Sequence, residues 1–302
     1  MKKDRPFINK ANNSSMGVPH ARQRMMQYFQ LSLIALVFVI VFGVIYFIAM
    51  KRDQSNAIDY SGAQLIQYDL PADDTPVVVY ETDAGTFKAV LYPEQAPKYC
   101  EQFTSLVKSG YYDGTQVFAV QDGVYFMGGS KSSDGTDTDD TDKSELAPEK
   151  HRDLWPFYGA IAAYGNRTSL FNSQIKSGSR CLFIGSVEFT DEFKAQLDSA
   201  SDNTALNEAF KTKGGVPNFA QQYTIFAQVY DGLDAYDKVL HTEVVKPAED
   251  GEDRDADLRP KSGLKFNKVY LSTYGENRHD EFFTGSGTAS EESSAQESSA
   301  AE

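Results

Sequence analysis

The sequence predicts a mainly β domain, a closed antiparallel barrel with a few short helices, preceded by one transmembrane helix. Three observations carry this. Short runs rich in Val, Ile, Phe and Tyr recur between turns built on Gly and Asp. The few segments with helical periodicity are short and do not alternate with strands, so there is no rhythm of a parallel βαβ sheet. And one long uncharged stretch lies near the start of the chain.

That stretch runs from Met25 to Met50, and Leu31–Met50 is almost wholly apolar. As a helix these residues would span about 30 Å, enough for a bilayer core. Residues 1–52 hold eight Lys or Arg against Asp4 alone, a net +7, while the rest has 21 basic and 42 acidic residues, a net −21. A basic excess before an apolar helix keeps the N-terminus in the cytoplasm and predicts export of the residues C-terminal to the helix. A cleavable signal peptide would have a shorter apolar region and a small-x-small site, but Lys51-Arg52 follows Met50 at once. The expected layout is therefore a basic cytoplasmic tail (1–28), a transmembrane helix (29–50), a polar stalk (51–75), a folded domain (76–274) and a disordered acidic Ser/Ala/Glu tail (275–302). An acidic body argues against nucleic acid as a partner, since phosphates would be repelled.

Within the domain, Val77–Tyr80 and Thr86–Tyr92 flank the turn Asp83-Ala84-Gly85 and read as a hairpin. Pro97 suits the first position of a helix, and Cys100, Phe103, Leu106 and Val107 recur on one face of it until Ser109-Gly110. Gln116–Val120 and Val124–Met127 read as strands around Asp122-Gly123, with Gly128-Gly129 ending the pair. Gly159–Tyr164, Arg180–Ser186 and Tyr223–Tyr230 are further strands, and Leu233–Val239 is a short helix after Asp231-Gly232. Asp191–Lys211 has helical composition and belongs to an insertion at about 187–222. Leu264–Tyr274 closes the domain with alternating apolar residues.

Few residues point to side-chain chemistry. Cys100 and Cys181 lie far apart in apolar contexts without metal spacing, and read as small buried residues; a disulfide stays open for an exported domain. Asp134, Asp137, Asp139, Asp140 and Asp142 offer oxygens of the kind Ca²⁺ takes, but lack the glycine at the sixth loop position of an EF-hand, so the stretch reads as a solvated loop and no metal is assigned. His20, His151, His241 and His279 show no ligand spacing. Trp155 reads as an anchor at the edge of the core.

Residues 81–115, ETDAGTFKAVLYPEQAPKYCEQFTSLVKSGYYDGT, resemble the opening of a cyclophilin: a Gly-Thr hairpin, a Tyr-Pro-Glu-x-Ala-Pro run into a helix, then Gly-Tyr-Tyr-Asp-Gly-Thr. YTIFAQVYDGLDAYDKV, residues 223–239, is similar to the family's His-Thr-Val-Phe-Gly segment, and SGSRCLFIG, residues 177–185, to its Gly-Ser-Gln-Phe-Phe-Ile. The resemblance covers residues 77 to about 272. It implies an eight-stranded antiparallel barrel with capping helices and cis/trans isomerisation of Xaa-Pro bonds, a reaction that needs no metal, cofactor or nucleophile.

The resemblance breaks at the groove. With Tyr112-Asp113-Gly114-Thr115 and Gly128-Gly129 as fixed points, the family's catalytic Arg falls on Ala119 and the Phe-His before it on Val117-Phe118. Its Phe-Met pair falls on Val124-Tyr125, its Gln on Met127, the Gln of Gly-Ser-Gln on Arg180 and the second Phe of that run on Leu182. Its His before Thr-Val-Phe falls on Tyr223, and the apolar groove residue a few positions earlier meets Asn218-Phe219. The expected substrate-binding set is therefore Ala119, Val124, Tyr125, Met127, Leu182, Phe219 and Tyr223. Loss of one aimed charged donor costs on the order of 10²–10³ in rate, so weak activity is expected, with Arg180 as a candidate replacement reaching across from a neighbouring strand. The expected role is a membrane-anchored foldase for proline-containing exported polypeptides at a bacterial cell surface. A catalytically inactive proline-peptide-binding or chaperone module of the cell envelope is the alternative, and a rigid surface spacer a third.

Overall fold

The computed structural model describes residues 62–136, 146–169, 172–200, 203–247 and 256–284. The expected transmembrane helix, the cytoplasmic tail, most of the stalk and the acidic positions Asp137, Asp139, Asp140 and Asp142 lie outside them. No helix among the described residues is long and apolar enough to cross a membrane.

Eight strands close into an antiparallel barrel. They are β1 (Pro76–Thr82), β2 (Gly85–Leu91), β3 (Gln116–Gln121), β4 (Tyr125–Ser130), β5 (Ala160–Ser169), β6 (Asn172–Ile184), β7 (Thr224–Asp231) and β10 (Leu264–Thr273). Around the barrel the order is β1, β10, β3, β4, β6, β5, β7, β2 and back to β1. The remaining strands β8 (Val244–Lys246) and β9 (Asp257–Pro260) pair with each other outside it. Gly128-Gly129 do not end the β3–β4 pair, as expected from sequence, but lie within β4. A Cβ at Gly128 would stand 2.6 Å from the Phe266 ring, so this strand passes too close to its interior neighbour for any side chain there.

Alternation along the strands sends Tyr80, Phe87, Phe126, Phe183 and Phe266 into the barrel. Phe126 and Phe183 stack at 4.3 Å and Tyr80 and Phe87 at 4.8 Å, with edge-on contacts filling the gaps between the pairs. Two helices share this core. α1 (Pro97–Lys108) contributes Tyr99, Cys100, Phe103 and Val107, the face its periodicity predicts. α4 (Leu233–Leu240) contributes Tyr236, Val239 and Leu240. It starts at Gly232, whose φ of +75° and position against the Thr86 carbonyl exclude a side chain. The helical stretch expected at Asp191–Lys211 is two helices, α2 (Asp191–Ala200) and α3 (Thr204–Lys213), with Asn203 capping the second by accepting from the Leu206 N–H at 3.0 Å.

The domain extends beyond both expected boundaries. Ile66–Tyr68 forms a 3₁₀ turn inside the presumed stalk, and Gln67 is fully buried. Its amide donates to the Trp155 carbonyl (3.0 Å) and to Gln228 Oε1 (2.9 Å), and accepts from the Trp155 N–H (2.6 Å). At the other end α5 (Glu281–Thr284) lays Phe282 and Phe283 against the outer barrel cluster of Val77, Val79, Val90, Tyr230 and Tyr274. The two ends meet where Tyr68 stacks on Phe282 at 5.8 Å and Arg278 pairs with Asp73.

Candidate functional site

The outward faces of five adjacent strands carry one row of paired residues. Ala119 on β3 faces Met127 on β4, Met127 faces Leu182 on β6, Leu182 faces Ala162 on β5, and Ala162 faces Ile225 on β7. Pairing register alone aligns residues from four distant parts of the chain. Around the row lies a second apolar cluster, separate from the barrel interior, in which Leu182 is buried and Val124, Tyr125, Met127, Phe219 and Tyr223 are partly buried. The six apolar positions expected to bind substrate, apart from Ala119, thus meet on one face. Ala119 joins them through its pairing and is 7% exposed.

Phe219 sits between two of its partners, 5.9 Å from the Tyr125 ring and 5.6 Å, edge-on, from the Tyr223 ring. It is brought there by the insertion, whose ends hold to the loop at Pro156: the Val216 N–H donates to the Pro156 carbonyl at 2.9 Å and the Val187 N–H to the Gly215 carbonyl at 3.0 Å. Val187, Val216 and Phe219 from the ends of the insertion join the apolar face. Its helices pack elsewhere: Leu206, Ala209 and Phe210 of α3 bury against Trp155 and Phe157. Trp155 is the core anchor expected of it, its ring N–H donating to the Arg152 carbonyl at 2.8 Å.

Arg180 lies two residues before Leu182 on β6. The expectation that it stands on a strand next to β3 is not met, because β4 lies between β6 and β3. The reach is nevertheless made: the guanidinium carbon sits 5.7 Å from the centre of the Phe118 ring, beside Ala119 in the chain. Phe118 in turn meets Tyr164 edge-on at 6.3 Å. The backbone that carries Arg180 is pinned from within the barrel. Tyr99 Oη donates to the Arg180 carbonyl at 3.3 Å, Tyr112 Oη to the Ser179 carbonyl at 2.6 Å, and Tyr111 Oη shares a hydrogen bond with Ser179 Oγ at 3.0 Å. Burial holds the Tyr99 and Tyr112 phenols well above the usual range, so both remain donors. Nothing in the sequence assigns these tyrosines or Tyr164 to the site, since only β-register shows what lies behind or beside a given strand residue.

Nothing at this face is equipped for nucleophilic chemistry. Cys100 and Cys181 are free, buried thiols, each pushed up to about 12 by burial. The described histidines are scattered, each beside its own aspartate: His151 by Asp153, His241 by Asp122 and His279 by Asp231. No cluster of metal-ligating side chains occurs among the described residues. What the face can do is hold an apolar residue against Leu182, Phe219 and Tyr223 with one guanidinium near its edge.

The model of the family described as cyclophilin type peptidyl-prolyl cis-trans isomerase/CLD matches residues 77–256. The chain belongs to that family. Two Staphylococcus proteins provisionally named as peptidyl-prolyl cis-trans isomerases are similar to this cyclophilin. The one from S. epidermidis is 28% identical over 169 residues, 55% of this chain and 82% of its own length; the one from S. aureus strain COL is 27% identical over 168 residues, with the same coverage. Among solved structures, a Cryptosporidium parvum cyclophilin type peptidyl-prolyl cis-trans isomerase, crystallised in the presence of the dipeptide Ala-Pro, shares 17% identity. The match covers 65% of this chain and 99% of that one, at a TM-score of 0.46. The family match stops before β10, although β10 closes this cyclophilin's barrel between β1 and β3.

Proposed function

We propose that this cyclophilin is a membrane-anchored, extracytoplasmic protein that binds proline-containing segments of exported polypeptides and isomerises their Xaa-Pro bonds weakly. Turning such a bond passes a barrier of about 18–20 kcal/mol and takes tens of seconds or longer unaided. The twisted bond loses conjugation and its nitrogen gains a lone pair. Catalysis therefore needs an apolar seat for the proline ring and a donor aimed at that nitrogen, stronger for the twisted state than for the planar one.

The observation that carries the reading is the convergence of Leu182, Met127, Phe219 and Tyr223 on one outer face with the Arg180 guanidinium stacked on Phe118 beside it. The apolar residues seat proline. Arg180 supplies the donor that Ala119 lacks, less well aimed because it enters from two strands away. Supporting the anchor is the uncharged run Leu31–Met50 with basic residues on both sides. Export and a bacterial envelope are inferred from the charge placement, and the two Staphylococcus relatives are bacterial.

The test is isomerisation of a short Xaa-Pro peptide by the full chain in detergent, followed by NMR exchange. Acceleration over the uncatalysed rate that falls at least about tenfold in Arg180→Gln supports both parts of the reading. Equal rates in the variant and the parent rule out the role of Arg180. Peptide signals that shift without faster exchange favour the second reading, a proline-binding module without turnover, which the methyl of Ala119 at the donor position supports.

A further inference from the structure

The barrel alone does not place Phe219. This residue ends the 3₁₀ turn Pro217–Phe219, and its N–H donates to the Val216 carbonyl at 2.9 Å. Val216 is held in turn by the loop before β5, its N–H donating to the Pro156 carbonyl at 2.9 Å. Gly215 bridges to Phe157. A Cβ at Gly215 would stand 2.4 Å from the Pro156 carbonyl oxygen, so the two backbones touch. Contacts this close pass a shift of residues 155–157 on to residues 215–219.

Residues 155–157 are held from a segment that precedes the barrel. The Gln67 amide accepts from the Trp155 N–H at 2.6 Å and donates to the Trp155 carbonyl at 3.0 Å. It also donates to Gln228 Oε1 on β7 at 2.9 Å, which ties the loop to a barrel strand. Tyr68, the next residue, packs on the Phe157 ring at 5.3 Å, and Lys213 at the end of α3 lies over the Tyr68 ring at 5.1 Å. Ile66, the residue before, packs against the apolar cluster that Phe219 and Tyr223 join. Three consecutive residues thus brace the loop, the return of the insertion and the apolar face. The family match begins at residue 77, so this brace lies outside it.

Two hydrogen bonds to the backbone of one residue fix both where it sits and how its peptide groups are turned. An apolar side chain in the same space could fill the volume without setting that orientation.

We propose that Gln67 is a positioning residue of the proline seat: through Trp155 and Pro156 it sets Val216, and through Val216 the ring of Phe219. The proposal rests on the apolar face being a proline-peptide site. Arg180 is off this path, its backbone being held by Tyr99 from within the barrel. Loss of Gln67 therefore weakens peptide binding and leaves the isomerisation rate of bound peptide unchanged.

The experiment uses the full chain in detergent. Anisotropy of a fluorescein-labelled Ala-Ala-Pro-Phe peptide gives Kd, and NMR exchange at saturating peptide gives the rate in the complex. The variants are Gln67→Ala, Gln67→Asn, Phe219→Ala and the double variant Gln67→Ala with Phe219→Ala. Gln67→Asn keeps the amide but is too short to reach both Trp155 groups, and it serves where the alanine variant does not fold. Val78→Ala is the control: it opens a cavity in the core on β1, across the barrel from β6, and lowers stability without touching the brace. The expected result is binding about tenfold weaker in Gln67→Ala and about threefold weaker in Gln67→Asn, with the bound rate within about twofold of the parent. Val78→Ala should bind as the parent does. Phe219→Ala should bind about tenfold more weakly, and the double variant within about twofold of Phe219→Ala, because no ring is left to position. Hydrogen exchange at 216–219 should be faster in Gln67→Asn than in the parent. If both Gln67 variants bind as the parent, if the two losses multiply to about a hundredfold in the double variant, or if Val78→Ala weakens binding as much, the positioning role is overturned and the proline seat stands. If Phe219→Ala binds as the parent, or the parent binds no peptide, the reading of the apolar face fails and the proposal fails with it.

Discussion

Replacing Gln67 by Ala tests whether residues 62–75 are stalk or domain. Gln67 is fully buried and its amide joins the 3₁₀ turn to Trp155 and to Gln228 of β7. The deletion takes a partner from the Trp155 N–H and from Gln228 Oε1. The Trp155 carbonyl is less affected, because it also accepts from the Phe157 N–H at 2.8 Å. Each buried polar group that loses its partner costs about 1–3 kcal/mol. Two such groups give about 2–6 kcal/mol, and a water entering the vacated space returns part of it. The expected loss is about 3 kcal/mol, a large share of the 5–15 kcal/mol typical of a domain. Urea unfolding of the full chain in detergent measures it, as a fall in the midpoint of about 1 M or more at an unchanged slope. A loss below about 1 kcal/mol would refute the reasoning, since the turn would then detach without consequence and the segment would be a stalk after all.

Three further outcomes are expected from the structure. Glu149 caps α1 from a distance, its carboxylate accepting from the Lys98 N–H (3.2 Å) and the Tyr99 N–H (2.8 Å) where Ala96 offers no side-chain cap; Glu149→Ala should lower stability by about 1 kcal/mol in the same titration, and an unchanged midpoint would show that water replaces the carboxylate. Burial raises both thiols from 9.0 to about 12, so the unfolded chain loses these protons first as pH rises and stability should fall across pH 9–12. In the folded protein neither Cys100 nor Cys181 should react with a thiol reagent at pH 8 faster than the protein unfolds, and rapid labelling of either would contradict their burial.

The sequence by itself determined the local elements and the chemistry available to them. The β1–β2 hairpin, α1 with its buried face and α4 after Asp231-Gly232 were legible because each is written in a short-range period or turn residue. The placing of the family's arginine at Ala119 rests on the resemblance alone, with Gly114 and Gly128-Gly129 as fixed points on either side. The Gln67 turn and α5 were missed for the opposite reason. A single buried amide in a polar stretch, or two adjacent phenylalanines before an acidic tail, has no periodicity to read, and its partners lie 88 and 161 residues away in one case.

Only the tertiary structure decided what stands beside what. Strand order put β4 between Arg180 and Ala119, and the arginine still reaches the ring of Phe118. Register set Ala119, Met127, Leu182, Ala162 and Ile225 in one row. Both are properties of hydrogen-bond pairing between distant segments, which a one-residue slip would invert and which no local pattern encodes.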